Sequence, residues 1–150
     1  MRVCIDTNIL AYAEGLNKEV NQTRKQETIS LLDNLSPEMV VIPAQVLGEL
    51  FRVLTGKAKR STADARTAVM QWSDSYETVG TPWTAFQAAF DLTTTNHFQI
   101  WDALIMSIAA ENRCRMLVSE DMQHDFTYRG VTIVNPYTDP VHPLLAPLLM

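Results

Sequence analysis

Short apolar runs alternate with longer stretches of helical periodicity along this chain. Val3 to Ile5 is the first run, and it stops on Asp6. Ile9, Leu10 and Ala11 resume apolar positions at helical spacing after Thr7 and Asn8. The pattern predicts a buried strand that ends on a carboxylate, with a helix starting at once. Ile29, Leu32 and Leu35 give Lys18 to Leu35 one apolar side, and Ser36 and Pro37 stop that helix. Met39 to Ile42 reads as a second strand. Pro43 opens the next helix at its first turn, where a missing N–H costs nothing. That helix runs to about Thr55, and Gly56 is its stop. Ser61, with Asp64 three residues on, starts a helix carrying Ala65, Ala68, Val69 and Trp72. Tyr76 to Val79 is a short strand. Pro82 begins a helix whose core candidates are Phe86, Ala89, Phe90 and Leu92. His97 to Ile100 leads into a strongly helical stretch, Trp101 to Asn112, with Trp101 expected as a core anchor rather than a base-stacking platform. Met116 to Val118 and Val131 to Val134 are the last strands, the second behind Gly130. Strands alternating with helices predict an α/β chain: three α/β/α layers around a central, mainly parallel β-sheet. No repeat or linker divides it. The tail from Pro136 holds four of the seven prolines, which excludes a long regular element and leaves it to cross the body or meet a partner.

Length and composition sharpen this picture only a little. At 150 residues, 47% hydrophobic and 19% charged, the chain suits one ordinary globular domain. No apolar run is long enough to span a bilayer, and the N-terminus lacks a basic start with an apolar core, so a soluble, cytoplasmic protein with no membrane partner is expected. Cys4 and Cys114 are the two cysteines, and they read as buried free thiols. The net charge of −5 argues against holding nucleic acid by bulk positive charge. It leaves room for a nucleic-acid enzyme whose acids are neutralised by metal ions.

The acids carry the candidate chemistry. Asp6 lies just past a strand end, where open α/β sheets bind ligands, although an acid there is equally an N-cap. Asp102 shares a helix face with Ile105, Met106 and Ala109 on a helix apolar almost all round, so it is expected to be at least partly buried. Asp121 follows strand Met116 to Val118 in the same context as Asp6, with Glu120 and Asp125 as neighbours able to substitute for it. Glu49 stands beside Val46 and Val53 at the edge of an apolar stripe. Two carboxylates about 4 Å apart repel by about 4 kcal/mol at an effective dielectric near 20. A hard divalent cation removes that cost, and such a site can activate water against a phosphodiester. The chain has no Cys/His metal cluster, no P-loop, no dinucleotide glycine turn and no GxSxG elbow.

Four stretches read together add a resemblance: CIDTNIL around Asp6, VLGEL around Glu49, IWDALIMSIA around Asp102 and LVSEDMQHD around Asp121. In this order and spacing they resemble the PIN-domain ribonucleases, most closely the VapC-type toxins of prokaryotic toxin–antitoxin pairs. The resemblance runs from Met1 to about Pro136, giving a PIN-like nuclease domain over 1–137 and a Pro-rich tail over 138–150. It implies an endoribonuclease dependent on Mg²⁺ (or Mn²⁺), a homodimer, an RNA substrate and a cognate antitoxin protein. It also implies that a metal-activated water attacks the phosphate and leaves 5′-phosphate and 3′-hydroxyl ends. Carried over residue by residue, Asp6, Glu49, Asp102 and Asp121 match the acidic metal-site positions. Asn8 and Ser119 match the polar positions beside them. Similar toxins often have Gly after the QH of the last motif, where this chain has Asp125. The resemblance gives His124 no role as a base, and it reads as a packing or hydrogen-bonding residue.

A cluster of Arg52, Lys57, Lys59, Arg60 and Arg66 lies around the turn after the Glu49 helix; the first four are candidate RNA contacts, or else a solvated turn. Two rivals remain at this point. Aspartyl phosphoryl transfer on Asp6 would resemble the haloacid-dehalogenase-like phosphatases, which need a second Asp where this chain has Asn8. A degenerate PIN module would bind RNA or a partner protein without cleavage.

Overall fold

The computed structural model describes residues 1–16 and 22–150. The six strands are β1 (Arg2–Ile5), β2 (Val40–Pro43), β3 (Glu77–Val79), β4 (Cys114–Val118), β5 (Thr127–Tyr128) and β6 (Val131–Val134). The helices are α1 (Thr7–Ala13), α2 (Gln22–Asn34), α3 (Ala44–Gly56), α4 (Thr62–Ser75), α5 (Trp83–Asn96) and α6 (Ile100–Glu111). One sheet runs in the order β3-β2-β1-β4-β6-β5. Every pairing is parallel except β5 with β6. The expected α/β fold, a mainly parallel sheet flanked by helices, is what the chain adopts. Of the expected helix over 18–35, Gln22 to Asn34 is seen, and residues 18–21 lie outside the described part.

The topology places the site. Successive crossovers carry the chain from β1 out to β2 and β3. The next crossover returns it past β1 to β4 on the other side. With right-handed crossovers, α1 to α4 cover one face and α5 with α6 the other. β1 is central, with Cys4 opposite Val41 on one side and Leu117 on the other. The strand order reverses between β1 and β4, and the crevice at their carboxyl ends is where such sheets bind ligands. The backbone N–H of Asp6 donates to the Val118 carbonyl at 3.0 Å, so the ladder continues to the first residue past β1.

Ile5, Ile42 and Met116 from the sheet, Ile9, Leu10, Leu50 and Leu54 from one layer, and Leu92, Leu104, Ile105 and Ile108 from the other are fully buried. Each contributes on the order of 1.5–3 kcal/mol of transfer free energy. Cys4 and Cys114 are buried free thiols, as expected. Ser61 caps α4 by accepting the Asp64 N–H at 3.0 Å. Pro43 is the residue before α3 rather than its first member, because its extended backbone still pairs with Val79 of β3.

Two expectations change. Phe90 is not core: it is 46% exposed. α5 buries Ala85, Ala88, Ala89 and Leu92, whose small side chains allow close approach, and leaves Trp83 and Phe90 outside with Phe86 half-buried between them. Trp101 is not a core anchor either, being 50% exposed. The buried part of α6 begins at Ala103, two residues farther along the helix. The hairpin β5–β6 has no counterpart in the sequence pattern, since a strand of two residues carries no readable alternation.

The Pro-rich tail crosses the body. Leu145 is fully buried in the core, and a short 3₁₀ turn closes the chain at Ala146–Leu149. Tyr137, at the start of the tail, shares a hydrogen bond with Thr28 of α2 at 2.6 Å.

Candidate functional site

Four carboxylates reach the carboxyl end of the sheet from four elements. Asp6 ends β1, Asp121 follows β4, Glu49 comes from the second turn of α3 in one layer, and Asp102 from the first turn of α6 in the other. Asp6 is buried. Its Oδ1 accepts the Thr7 N–H at 2.7 Å, which caps α1, and its Oδ2 accepts the Ser119 hydroxyl at 2.7 Å. N-cap and site residue are therefore the same side chain. Burial pushes the Asp6 carboxyl up to about 6; the Ser119 and Thr7 hydrogen bonds oppose this, and the charges of Asp102 and Glu49 add to it.

Asp102 is half-buried, and its carboxyl is also raised, by burial first and then by Glu49 and Asp121. Asp6 thus feels the charges of Asp102 and Glu49, and Asp102 those of Glu49 and Asp121. Glu49 is held at both oxygens: Thr7 Oγ1 donates to Oε2 at 2.7 Å and Gln45 Nε2 to Oε1 at 2.8 Å. Asn8 Nδ2 donates to Asp121 Oδ2. Asn8 and Ser119 thus stand beside the acids, one on Asp121 and one on Asp6.

The neighbouring acids separate cleanly. Glu120 turns away to accept from the Tyr12 hydroxyl and from Arg24. Asp125 pairs with His142 at 2.8 Å. Of the three acids after β4, Asp121 is the one set against Asn8. His124 accepts the Asn135 N–H at 2.9 Å through Nδ1, a hydrogen-bonding role away from the four acids.

Asp102 lies between two depressions. The larger, about 640 Å³, is lined by Glu49, Gln45, Arg52, Asn8 and Trp101 among others. The smaller, about 170 Å³, lies toward Asp121, His97 and Gln123. Of the four candidate RNA-contacting cations, Arg52 lines the larger cleft. Lys57 and Lys59 are exposed beyond the far end of α3, about 12 Å along its axis from Glu49. Arg60 is engaged elsewhere: it donates to the Glu14 carboxylate at 2.6 Å and to the Glu14 carbonyl at 2.8 Å, while Trp72 Nε1 donates to the same carboxylate at 2.9 Å.

Thr7 and Gln45 went unremarked in the sequence. Gln45 left a faint signal, four residues before Glu49 on one helix, where side chains meet. Its amide oxygen is the buried side-chain oxygen or nitrogen that finds no partner among the described residues. Among those residues no three His, Cys, Asp or Glu side chains stand close enough to grip one ion directly.

Comparison with known proteins agrees with this fold. VapC20 of Mycobacterium tuberculosis, described as a sarcin–ricin-loop-cleaving toxin, superposes with a TM-score of 0.64 at 15% identity, covering 77% of this chain and 86% of that one. A toxin–antitoxin complex from Klebsiella pneumoniae gives 0.67 at 18% identity, covering 90% and 98%. VapBC2 of Rickettsia felis, bound to a DNA fragment from its promoter, gives 0.62 at 18% identity, covering 89% and 97%. No curated protein sequence matches the chain. The family model of the PIN domain matches residues 3–128, which hold all six helices and every strand but β6, and the chain therefore belongs to the PIN-domain family.

Proposed function

We propose that this protein is an endoribonuclease dependent on Mg²⁺ or Mn²⁺, acting as the toxin of a toxin–antitoxin pair. The observation that carries the reading is the convergence of Asp6, Glu49, Asp102 and Asp121 at the β1–β4 switch point, with the Asp6 and Asp102 carboxyls raised by burial first and then by neighbouring acids. The donor set is all oxygen, which fits a hard divalent cation. Asp6 and Asp102 would hold it, with Glu49 and Asp121 completing the acidic ring. When bound, the ion supplies Lewis-acid charge to the RNA phosphate and its attacking water.

The chain's own residues do the rest. Ser119 and the Thr7 N–H hold the Asp6 carboxylate in one orientation and favour its charged form. Thr7 and Gln45 fix Glu49, and Asn8 fixes Asp121. Arg52, on the cleft wall, is placed to meet an RNA phosphate, and Lys57 and Lys59 to meet the backbone farther along. Family membership and the toxins of like fold support the reading. We further propose a cytoplasmic homodimer held in check by a cognate antitoxin, with residues 1–137 as the nuclease domain and 138–150 as its tail. Among the described residues no helix is long and apolar enough to cross a membrane.

The test is cleavage of single-stranded RNA by the purified protein with Mg²⁺, with EDTA, and as Asp6→Asn. Cleavage is expected in the first case alone. Full activity in EDTA, or in the Asp6→Asn protein, overturns the mechanism.

A further inference from the structure

We infer that the cleft lined by Trp101 and Gly48 holds a nucleobase subsite, in which Trp101 stacks on a base of the RNA next to the bond being cut. The inference rests on the ribonuclease reading and adds to it the residue that grips the substrate's base.

Three observations carry it. The first is the exposure of Trp101. An indole is costly to leave in water, yet this one is 50% exposed, while the next turn of the same helix is fully buried. It is adjacent in sequence to Asp102 and lines the same cleft as Asp102 and Glu49. The second is Gly48, which lines that cleft from the opposite helix. A glycine inside a helix is disfavoured by roughly 1 kcal/mol relative to alanine. Close packing is the usual reason to keep one, but a Cβ built on Gly48 meets nothing within 4 Å. The missing side chain leaves open space in the cleft and makes no room for a neighbour. The third is charge. Arg52, roughly one turn on from Gly48, lines the same cleft, so an aromatic face and a cation sit beside the carboxylates.

An open slot with an aromatic wall, a cation for a phosphate and an acidic floor matches one nucleotide of a single strand. Unstacked RNA bases are held by aromatic side chains in this way, while the backbone is met by basic ones. A duplex presents no free base face and is excluded from such a slot.

The experiment measures binding and cleavage separately. Binding of a fluorescein-labelled eight-nucleotide single-stranded RNA is followed by anisotropy, with Ca²⁺ replacing Mg²⁺ to slow cleavage. Trp101→Ala is expected to weaken binding about tenfold to a hundredfold, the range of base–aromatic stacking. Trp101→Phe should stay within about threefold of the parent, because it keeps an aromatic face. Gly48→Ala should raise the melting temperature by a few degrees through helix propensity while weakening RNA binding, a divergence no merely structural role produces. An abasic nucleotide placed beside the cleaved bond should cost affinity in the parent and nothing further in Trp101→Ala. Binding by Trp101→Ala within twofold of the parent, with RNA cleavage intact, overturns the subsite and leaves the ribonuclease reading standing. A parent protein that neither binds nor cuts RNA overturns both.

Discussion

Thr7 Oγ1 donates to Glu49 Oε2 at 2.7 Å, joining the first residue of α1 to the second turn of α3 across 42 positions of chain. The same residue donates its backbone N–H to Asp6. Thr7 therefore sets the spacing between two of the four acids. Thr7→Val keeps the shape and deletes the hydroxyl, leaving a half-buried carboxylate short of one donor. A loss of about 1–2 kcal/mol in stability is expected. A fall of about tenfold in the RNA cleavage rate should accompany it, since small misplacements at a reacting centre are costly. Thr7→Ser should restore both, as read by thermal melts and single-turnover cleavage.

Asp6 makes the metal-free protein sensitive to pH in a defined direction. Its carboxyl titrates at about 6 in the fold against an ordinary 3.8. Between those values the native state binds the extra proton, so stability falls as pH rises through the window, and the full cost is present above pH 6. That cost is about 3 kcal/mol at 1.36 kcal/mol per pH unit. Asp6→Asn keeps a good N-cap and removes the charge. In EDTA, its melting temperature should gain several degrees on the parent between pH 4 and pH 7. An unchanged difference across that range contradicts the burial argument.

Ser119 acts on the same carboxylate with the opposite sign. Its hydroxyl favours the charged form of Asp6. Ser119→Ala should therefore move the acid limb of the pH–rate profile for RNA cleavage to higher pH. The expected displacement is roughly one pH unit, because a hydrogen bond to a charged group contributes about 1.5–3 kcal/mol. Rates well above the limb should change little. A profile that falls uniformly without moving would assign Ser119 a purely structural role.

Arg24 ties the tail to the loop that carries Asp121. Its guanidinium lies 3.8 Å from the Tyr137 ring centroid and pairs with Glu120, which also accepts from Tyr12. The group is partly exposed, so the pair by itself is worth little; the stacked guanidinium adds about 1 kcal/mol. Arg24→Leu should lower stability by about 1–2 kcal/mol and speed proteolysis within 138–150. Leu145→Ala tests the same docking from the core side. Leu145 is fully buried, and removing it should cost about 2–5 kcal/mol, measured by denaturant unfolding.

The legible part of this protein is the part that repeats. Strands and helices alternate, with boundaries close to those read from periodicity, because burial against a sheet imposes a period along the chain. Asp6 stood out for the same reason, as a charge directly after the buried Val3 to Ile5. Asp102 stood out as a charge on an apolar helix. Asp121 and Glu49 were weaker signals, since a loop acid and a stripe-edge acid look like many solvated ones.

What the chain order could not reveal depends on which surfaces meet through space. Glu120 and Asp121 are neighbours with the same chemistry, and only the packing of α1 and α2 turns Glu120 to Arg24 and leaves Asp121 to Asn8. Arg60 reads as a free cation until α4 and the end of α1 set it against Glu14. Trp101 reads as core because periodicity reports the average burial of a helix, and its first turn projects past the sheet into the cleft. Periodicity along the chain is enough to read the layers, the strand ends and the acids that stand next to buried runs. Which side chains share a hydrogen bond, a charge or an opening follows from the packing of whole elements, because those depend on distances between elements that no local pattern encodes.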